Sequence, residues 1–282
     1  MGYPNFTGKH ALAPFFTPQE YQDYLSANYG WAGLPPLAGV VLTFQASFFR
    51  EVVAGPGWRR LEAPRSAVGE FHVLDRQGGT IGISGAFGVG APAAANRMED
   101  IGAAGCRRFI AIGYAGALQP DLSVGDVVLC DRAIRDEGVS HHYREPGKYA
   151  TPDPALTTAL GDHMDAAGMV HRTGTTWTID TPYRETVDEI DRYRQEGVLT
   201  VEMEAAALAT VAAYRKFEFA TGFVVSDGLS EPEWRPQFHH DHVAGGLRQL
   251  LEVAMSTLLE AAAERDRRAP NVVPGGDRAA TG

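Results

Sequence analysis

The sequence predicts a single-domain α/β fold whose largely parallel sheet is covered by helices on both faces. Apolar strand segments alternate with helical segments over most of the chain. The 282 residues are 44% hydrophobic and 21% charged, enough to bury a sizeable core. There is no internal repeat and no interior linker that would split the chain.

The elements follow in order. Residues 1–36 carry aromatics and prolines without a clear period and read as an N-terminal extension with one helix near Gln19–Asn28. The motif-rich domain, residues 37–265, opens on the apolar strand Gly39–Leu42. Phe71–Leu74 and Ile81–Ser84 flank Gln77-Gly78-Gly79, a hairpin signal. The glycine loop Gly85–Gly90 leads into an alanine-rich helix over Pro92–Ala104, where a proline suits the first turn. Arg108–Ile112 is a strand, and glycine turns are expected at Gly113–Gly116 and Gly174. Gly125–Cys130 is a strand, Pro154–Ala167 a helix and Thr175–Ile179 a strand. A polar helix covers Thr186–Gln195, ended by Gly197. Val198–Val201 is a strand, Glu202–Arg215 a helix, Phe219–Ser226 a strand and Ala244–Arg265 the last helix. Residues 266–282 lack apolar content and read as a disordered tail.

Composition excludes several function classes. Lys plus Arg number 25 against 35 Asp plus Glu, a net charge of −10. That argues against a non-specific nucleic-acid binder and against a polybasic membrane clamp. Cys106 and Cys130 are too few for a disulfide framework or a cysteine-based zinc site. The N-terminus lacks the apolar core of a signal peptide, and no run is long enough to span a bilayer. The expected protein is cytoplasmic, with no nucleic-acid or membrane partner.

The chemistry-bearing segments lie where strands end. Gly88-Val89-Gly90 lacks the third glycine of a dinucleotide fingerprint, and no acid follows at the right distance, so no nucleotide cofactor is expected. The loop either lets backbone amides approach a ligand or serves close helix–strand packing. Val201-Glu202-Met203-Glu204-Ala205 places two carboxylates just after an apolar strand. A carboxylate there can accept both hydroxyls of a vicinal diol, as on ribose; the competing role is a helix-start acid favoured by the dipole. Val225-Ser226-Asp227-Gly228 places an aspartate as a general acid or, alternatively, as a turn or cap residue. The His239-His240-Asp241-His242 run cannot converge on one ion without strain, so no metal site is expected. His141 and His142 read as a solvent-facing pair.

Taken in order, residues 88–95 (GVGAPAAA), 112–128 (IGYAGALQPDLSVGDVV), 135–143 (RDEGVSHHY), 201–207 (VEMEAAA) and 225–227 (VSD) resemble the purine nucleoside and uridine phosphorylase family, which also contains hydrolytic nucleosidases. The resemblance runs from about Gly39 to Leu258. It implies a single α/β domain with a central mixed sheet partly closed into a barrel. It implies cleavage of the N-glycosidic bond of a nucleoside through an oxocarbenium-like transition state. By resemblance, Glu204, with Glu202 and Met203, forms the ribose site, and Asp227 protonates N7 of a departing purine. Uracil has no N7, so Asp227 favours a purine, whereas the 135–143 segment looks closer to uridine-specific members. Beside Asp227, residues 176–185 have two readings: Trp177 or Tyr183 stacks on the base and Arg184 bonds a carbonyl oxygen, or Trp177 is core and Arg184 pairs with Glu185 or Asp188. Homo-oligomers are implied, with inorganic phosphate as a co-substrate.

The chain departs from the family where phosphate is held. No Gly-Asp-Pro-x-Arg turn occurs in Thr43–Arg50; Ala111 replaces the strand arginine and Tyr114 the small hydroxyl residue. The expected nucleophile pocket is then Gly88, Gly113, Tyr114 and Arg50, with Arg97 or a neighbouring subunit's arginine as other cations. Three activities follow: phosphorolysis, hydrolysis by water, or non-catalytic nucleoside binding.

Overall fold

The computed structural model describes residues 4–229 and 240–268. Its elements run α1 (Pro18–Tyr29), β1 (Gly39–Thr43), α2 (Ala46–Val53), β2 (Arg59–Arg60), α3 (Arg65–Val68), β3 (Phe71–Arg76), β4 (Gly79–Ser84), α4 (Ala91–Ala103) and β5 (Arg108–Ala117). Then come β6 (Val127–Asp136), α5 (Ser140–Tyr143), β7 (Tyr149–Ala150), α6 (Pro154–Ala166), β8 (His171–Ile179), α7 (Val187–Gln195), β9 (Thr200–Glu202), α8 (Ala205–Arg215), β10 (Glu218–Gly228) and α9 (Asp241–Arg268).

One mixed sheet holds these strands in the order β10-β6-β8-β9-β5-β1-β4-β3-β2, with β7 beside β6. A further β10–β5 pairing closes β5, β9, β8, β6 and β10 into a five-strand barrel. Strand β5 organises it. One edge pairs with β10 along its whole length. The other edge pairs in parallel with β1 through Ile112, then antiparallel with β9 from Gly116. The edge changes partner over Gly113–Ala115, from β1 to β9. Such a switch point, beyond the carboxyl ends of parallel strands, is where α/β sheets bind ligands.

The strands buried on both faces read as continuous apolar runs, as in β5 and β10. One core packs α4 and α8 against the sheet through Ala94, Met98, Ala205 and Leu208. The other packs α2, α6 and α9 against the opposite face through Phe49, Leu160 and Leu251. Alanines dominate α8, so that helix sits close to the strands.

Most expected elements are present, with corrections. Gly113–Gly116 and Gly174 are not turns but lie inside β5 and β8. At 174 the glycine serves packing, since a Cβ would come within 2.6 Å of Leu199 Cδ1. Helix α8 starts at Ala205 because Glu202 ends β9 and Glu204 is the residue before the first turn. The last helix runs to Arg268, past the expected tail boundary. In the extension, α1 is held by a capping box between Thr17 and Glu20. Helix α2 was not legible from Ala46–Val53, a stretch with two phenylalanines and two valines; it forms because Phe48 and Phe49 bury against the sheet.

Candidate active site

Three segments lie around this switch point: the β4–α4 loop, joined to the β9–α8 junction by a hydrogen bond, and the end of β10, which pairs with Gly116 beside β9. The loop is glycine-built because it turns through positive φ at Gly88 (101°) and Gly90 (93°). The Gly90 amide donates to Glu204 Oε1 at 2.5 Å, tying loop to junction. A Cβ on Gly90 would lie 3.8 Å from Met203 Cε, so Met203 lines the same corner.

The two glutamates at the junction differ in kind. Glu202 is committed to the scaffold. Its Oε2 accepts the amides of Glu204 and Ala205, each at 2.7 Å, and its Oε1 accepts Thr178 Oγ1 at 2.5 Å. It therefore caps α8 and is not free to hold a sugar, which corrects its expected place in the ribose site. Glu204, 6% exposed, keeps carboxylate capacity beyond the Gly90 amide. Burial, and then the Glu202 charge, push its carboxyl up to about 8. Burial raises Glu202 as well, to about 7, while its three donors favour its charged form, so Glu204 is the more strongly raised of the pair.

Asp227 ends β10 after a register shift between Val225 and Asp227. It is 8% exposed, and its Oδ1 accepts Ser226 Oγ at 2.7 Å. Gly116 is its neighbour on β5 and also pairs with Val201 on the other edge. A Cβ at 116 would clash first with Leu229 Cδ1, then meet Val201 Cγ1 at 3.3 Å and Asp227 Oδ2 at 3.4 Å. Asp227 thus lies on β10 and the Glu202–Glu204 junction follows β9, the two strands that pair with Gly116 of β5 and whose backbones are about two strand spacings or ~10 Å apart. Sequence reasoning missed Glu185, which follows the short helical turn Pro182–Arg184. Its half-buried carboxyl is pushed up to about 7 by burial, then by Asp227 and Glu189. The available signal was an acid at the end of the segment already suspected of base contact.

Other expected site residues lie elsewhere. Trp177 is fully buried among Leu118, Ile134 and Val201, with Nε1 donating to Asp136 Oδ2 at 2.9 Å, so it is core and cannot stack on a base. Tyr183 is 99% exposed and Arg184 is exposed beside it. Tyr114 turns to the face of α2 and α9, where burial raises its hydroxyl and Arg248 and Glu51 are its charged neighbours. Those two groups pair with each other, Arg248 Nε to Glu51 Oε1 at 3.1 Å. Arg50 is exposed on α2. Gly88 is at the exposed loop tip, and Gly113 is roofed by Phe44, whose Cδ2 would be 3.0 Å from a Cβ there. Ala111 is 1% exposed in the core. His239 lies outside the described residues, and the rings of His240 and His242 meet edge to face at 5.5 Å. Among the described residues, no group of three or more metal-ligating side chains is gathered, and no helix is long and apolar enough to cross a membrane.

A mixed sheet closed into a five-strand barrel and flanked by helices on both sides is the nucleoside phosphorylase-like α/β fold. The chain belongs to the phosphorylase superfamily, whose sequence profile matches residues 60–263. It is 35% identical to a guanosine phosphorylase of Halorubrum lacusprofundi over 126 residues, 44% of this chain and 52% of the relative. It is 32% identical to a uridine phosphorylase of Salmonella typhimurium over 140 residues, 45% of this chain and 55% of the relative. The chain thus spans about half the length of these curated relatives. In fold it is similar to the purine nucleoside phosphorylase of Toxoplasma gondii solved with immucillin-H, at TM-score 0.72 and 16% identity, covering 81% of this chain and 92% of that one. A uridine phosphorylase of Vibrio fischeri matches at TM-score 0.64 and 21% identity, over 80% and 92% of the two chains.

Proposed function

We propose that this chain cleaves the N-glycosidic bond of purine nucleosides by phosphorolysis. What supports the reading is that both carboxylates are buried where strands end: Asp227 pairs with Gly116 of β5, and Glu204 follows β9, whose Val201 pairs with the same glycine. Glu204, once ionised, accepts the ribose hydroxyls and faces the positive charge that grows on the sugar ring. Asp227 gives a proton to N7 as the electron pair of the C1′–N9 bond withdraws into the purine. A phosphate oxygen forms the new bond to C1′, leaving a pentose 1-phosphate and the free base. The superfamily membership and the nucleoside-cleaving relatives support this reading.

Hydrolysis is the second reading. It is favoured by a specific observation: the expected phosphate ligands are replaced by the buried Ala111, by Phe44 against Gly113, and by a Tyr114 turned to another face. One assay decides. A panel of guanosine, inosine, adenosine and uridine is incubated with and without phosphate, and free base is followed. Phosphate-dependent release from the purine nucleosides is expected. Release that ignores phosphate establishes hydrolysis, and no release from any nucleoside sinks both.

A further inference from the structure

Helix α4 carries Arg97 into an enclosed position behind the glycine loop. Its side chain is 16% exposed, and its Nε and Nη1 are buried without a hydrogen-bond partner. The Asp100 carboxylate stands 3.8 Å from Nη1, beyond hydrogen-bonding distance. The guanidinium is seated on Gly69, where a Cβ would fall 2.5 Å from Nη2 and 2.6 Å from Cζ. Gly69 has φ +67°, a conformation that also favours glycine. The seat exists because that position has no side chain. Burial lowers the basicity of Arg97 and pushes Asp100 up to about 6, so the two do not fully compensate each other. Protein interiors seldom leave charged donors unused.

The roof over this arginine belongs to the active-site loop. The Phe87 ring centroid lies 5.7 Å from Arg97 Cζ. The same ring meets Phe44 edge to face at 6.0 Å, and Phe44 lies against Gly113 of β5. Phe87 sits between Gly85 and the exposed tip, where Val89 is 62% exposed. The preceding Ala86 has φ 54°, a left-handed conformation that a non-glycine residue holds under strain. A strained, solvent-tipped loop is suited to a second arrangement.

We propose that Arg97 is the cation that holds the attacking phosphate, and that Phe87 is a roof that swings aside to admit it. The proposal rests on the phosphorolysis reading. A dianion needs at least one charged donor, and a guanidinium offers a planar fork matched to two phosphate oxygens. Among the described residues, Arg97 is an arginine beside the loop with two buried donors, Nε and Nη1, that no hydrogen bond uses, its ion pair with Asp100 standing at 3.8 Å.

The test is calorimetric titration of the full chain with inorganic phosphate, without nucleoside, together with the phosphate KM of purine nucleoside cleavage. Arg97→Gln is expected to weaken phosphate about 10- to 100-fold while the nucleoside KM stays within about twofold, and Arg97→Lys to recover part of the loss. Phe87→Ala is expected to tighten phosphate, because no roof has to move. Wild-type phosphate binding matched by Arg97→Gln overturns the assignment and leaves phosphorolysis standing. If Arg97→Gln does not fold, Phe87→Ala decides: unchanged phosphate affinity overturns the proposal. A wild-type protein that neither binds phosphate nor responds to it overturns both readings together.

Discussion

The Glu204 carboxylate accepts the backbone amide of Gly90 at 2.5 Å, across 114 positions of sequence. This contact joins the glycine loop to the β9–α8 junction and fixes one oxygen of Glu204. It depends on Gly90 holding φ 93°, which an alanine resists. Space is not the obstacle, since the nearest atom to a Cβ is Met203 Cε at 3.8 Å. Gly90→Ala is therefore expected to cost about 1–3 kcal/mol in urea unfolding through backbone strain. It should also lower kcat/KM by about 10- to 100-fold as Glu204 loses its register. Full activity with reduced stability would separate the loop from the chemistry.

The Glu202–Glu204 pair sets a pH dependence with a definite sign. Glu204 is held protonated up to about 8, against 4.5 for an ordinary glutamate. Between those values the folded protein binds more protons than the unfolded chain, so its stability falls as pH rises. The contribution is fully present below about 4.5 and is lost as pH passes 8. The ligand-free Tm is expected to drop by about 5 °C between mildly acid and mildly alkaline pH, and Glu204→Gln to flatten that slope. A slope that persists in Glu204→Gln assigns the proton elsewhere. Activity should move the other way, because the diol needs the ionised form. Glu202→Gln removes the neighbouring charge, so the ascending limb of kcat/KM should shift to lower pH.

The placement of Glu204 and Asp227 was legible in the sequence because each follows an apolar strand and precedes small residues. What those residues do not encode locally is which carboxylate is already spent. Glu202 and Glu204 have the same chemistry and nearby positions; Glu202 is spent on the amides of Glu204 and Ala205 and on Thr178, which β8–β9 pairing brings alongside from a distant strand. The long strands were under-read for a related reason. Gly113 and Gly116 look like punctuation, yet β5 continues through them because two other strands need close approach there. Trp177 had the composition of a stacking residue, but its burial is decided by Val201 and Ile134 from distant strands.

That burial gives a clean contrast between two aromatics of one segment. Trp177→Ala empties a fully buried site and is expected to cost about 3–5 kcal/mol. Trp177→Phe keeps most of the packing but leaves Asp136 without its 2.9 Å donor, at about 1–3 kcal/mol. Tyr183→Ala, at a 99% exposed position, should change stability by less than about 0.5 kcal/mol. Denaturation curves of the three variants check the ordering. A Tyr183→Ala variant with a much higher nucleoside KM would show that this turn closes over the base.

The proton supplied at the base end offers the sharpest substrate test. Asp227 is buried, accepts Ser226 Oγ at 2.7 Å, and has the Glu185 carboxylate near enough for their charges to act on each other. An amide cannot give a proton to N7, so Asp227→Asn is expected to slow purine nucleoside cleavage by about 10²–10⁴-fold. The same change is nearly isosteric and leaves β10 in place, so the unfolding midpoint should hold. Substrates whose base leaves without protonation discriminate the role from a packing defect. A nucleoside with a strongly activated leaving group, such as a 7-methylated purine, already carries the positive charge that Asp227 would induce. Its turnover should fall far less in Asp227→Asn than that of guanosine or inosine. Equal losses on both substrates would mean that Asp227 shapes the pocket and that the leaving base takes its proton from another group.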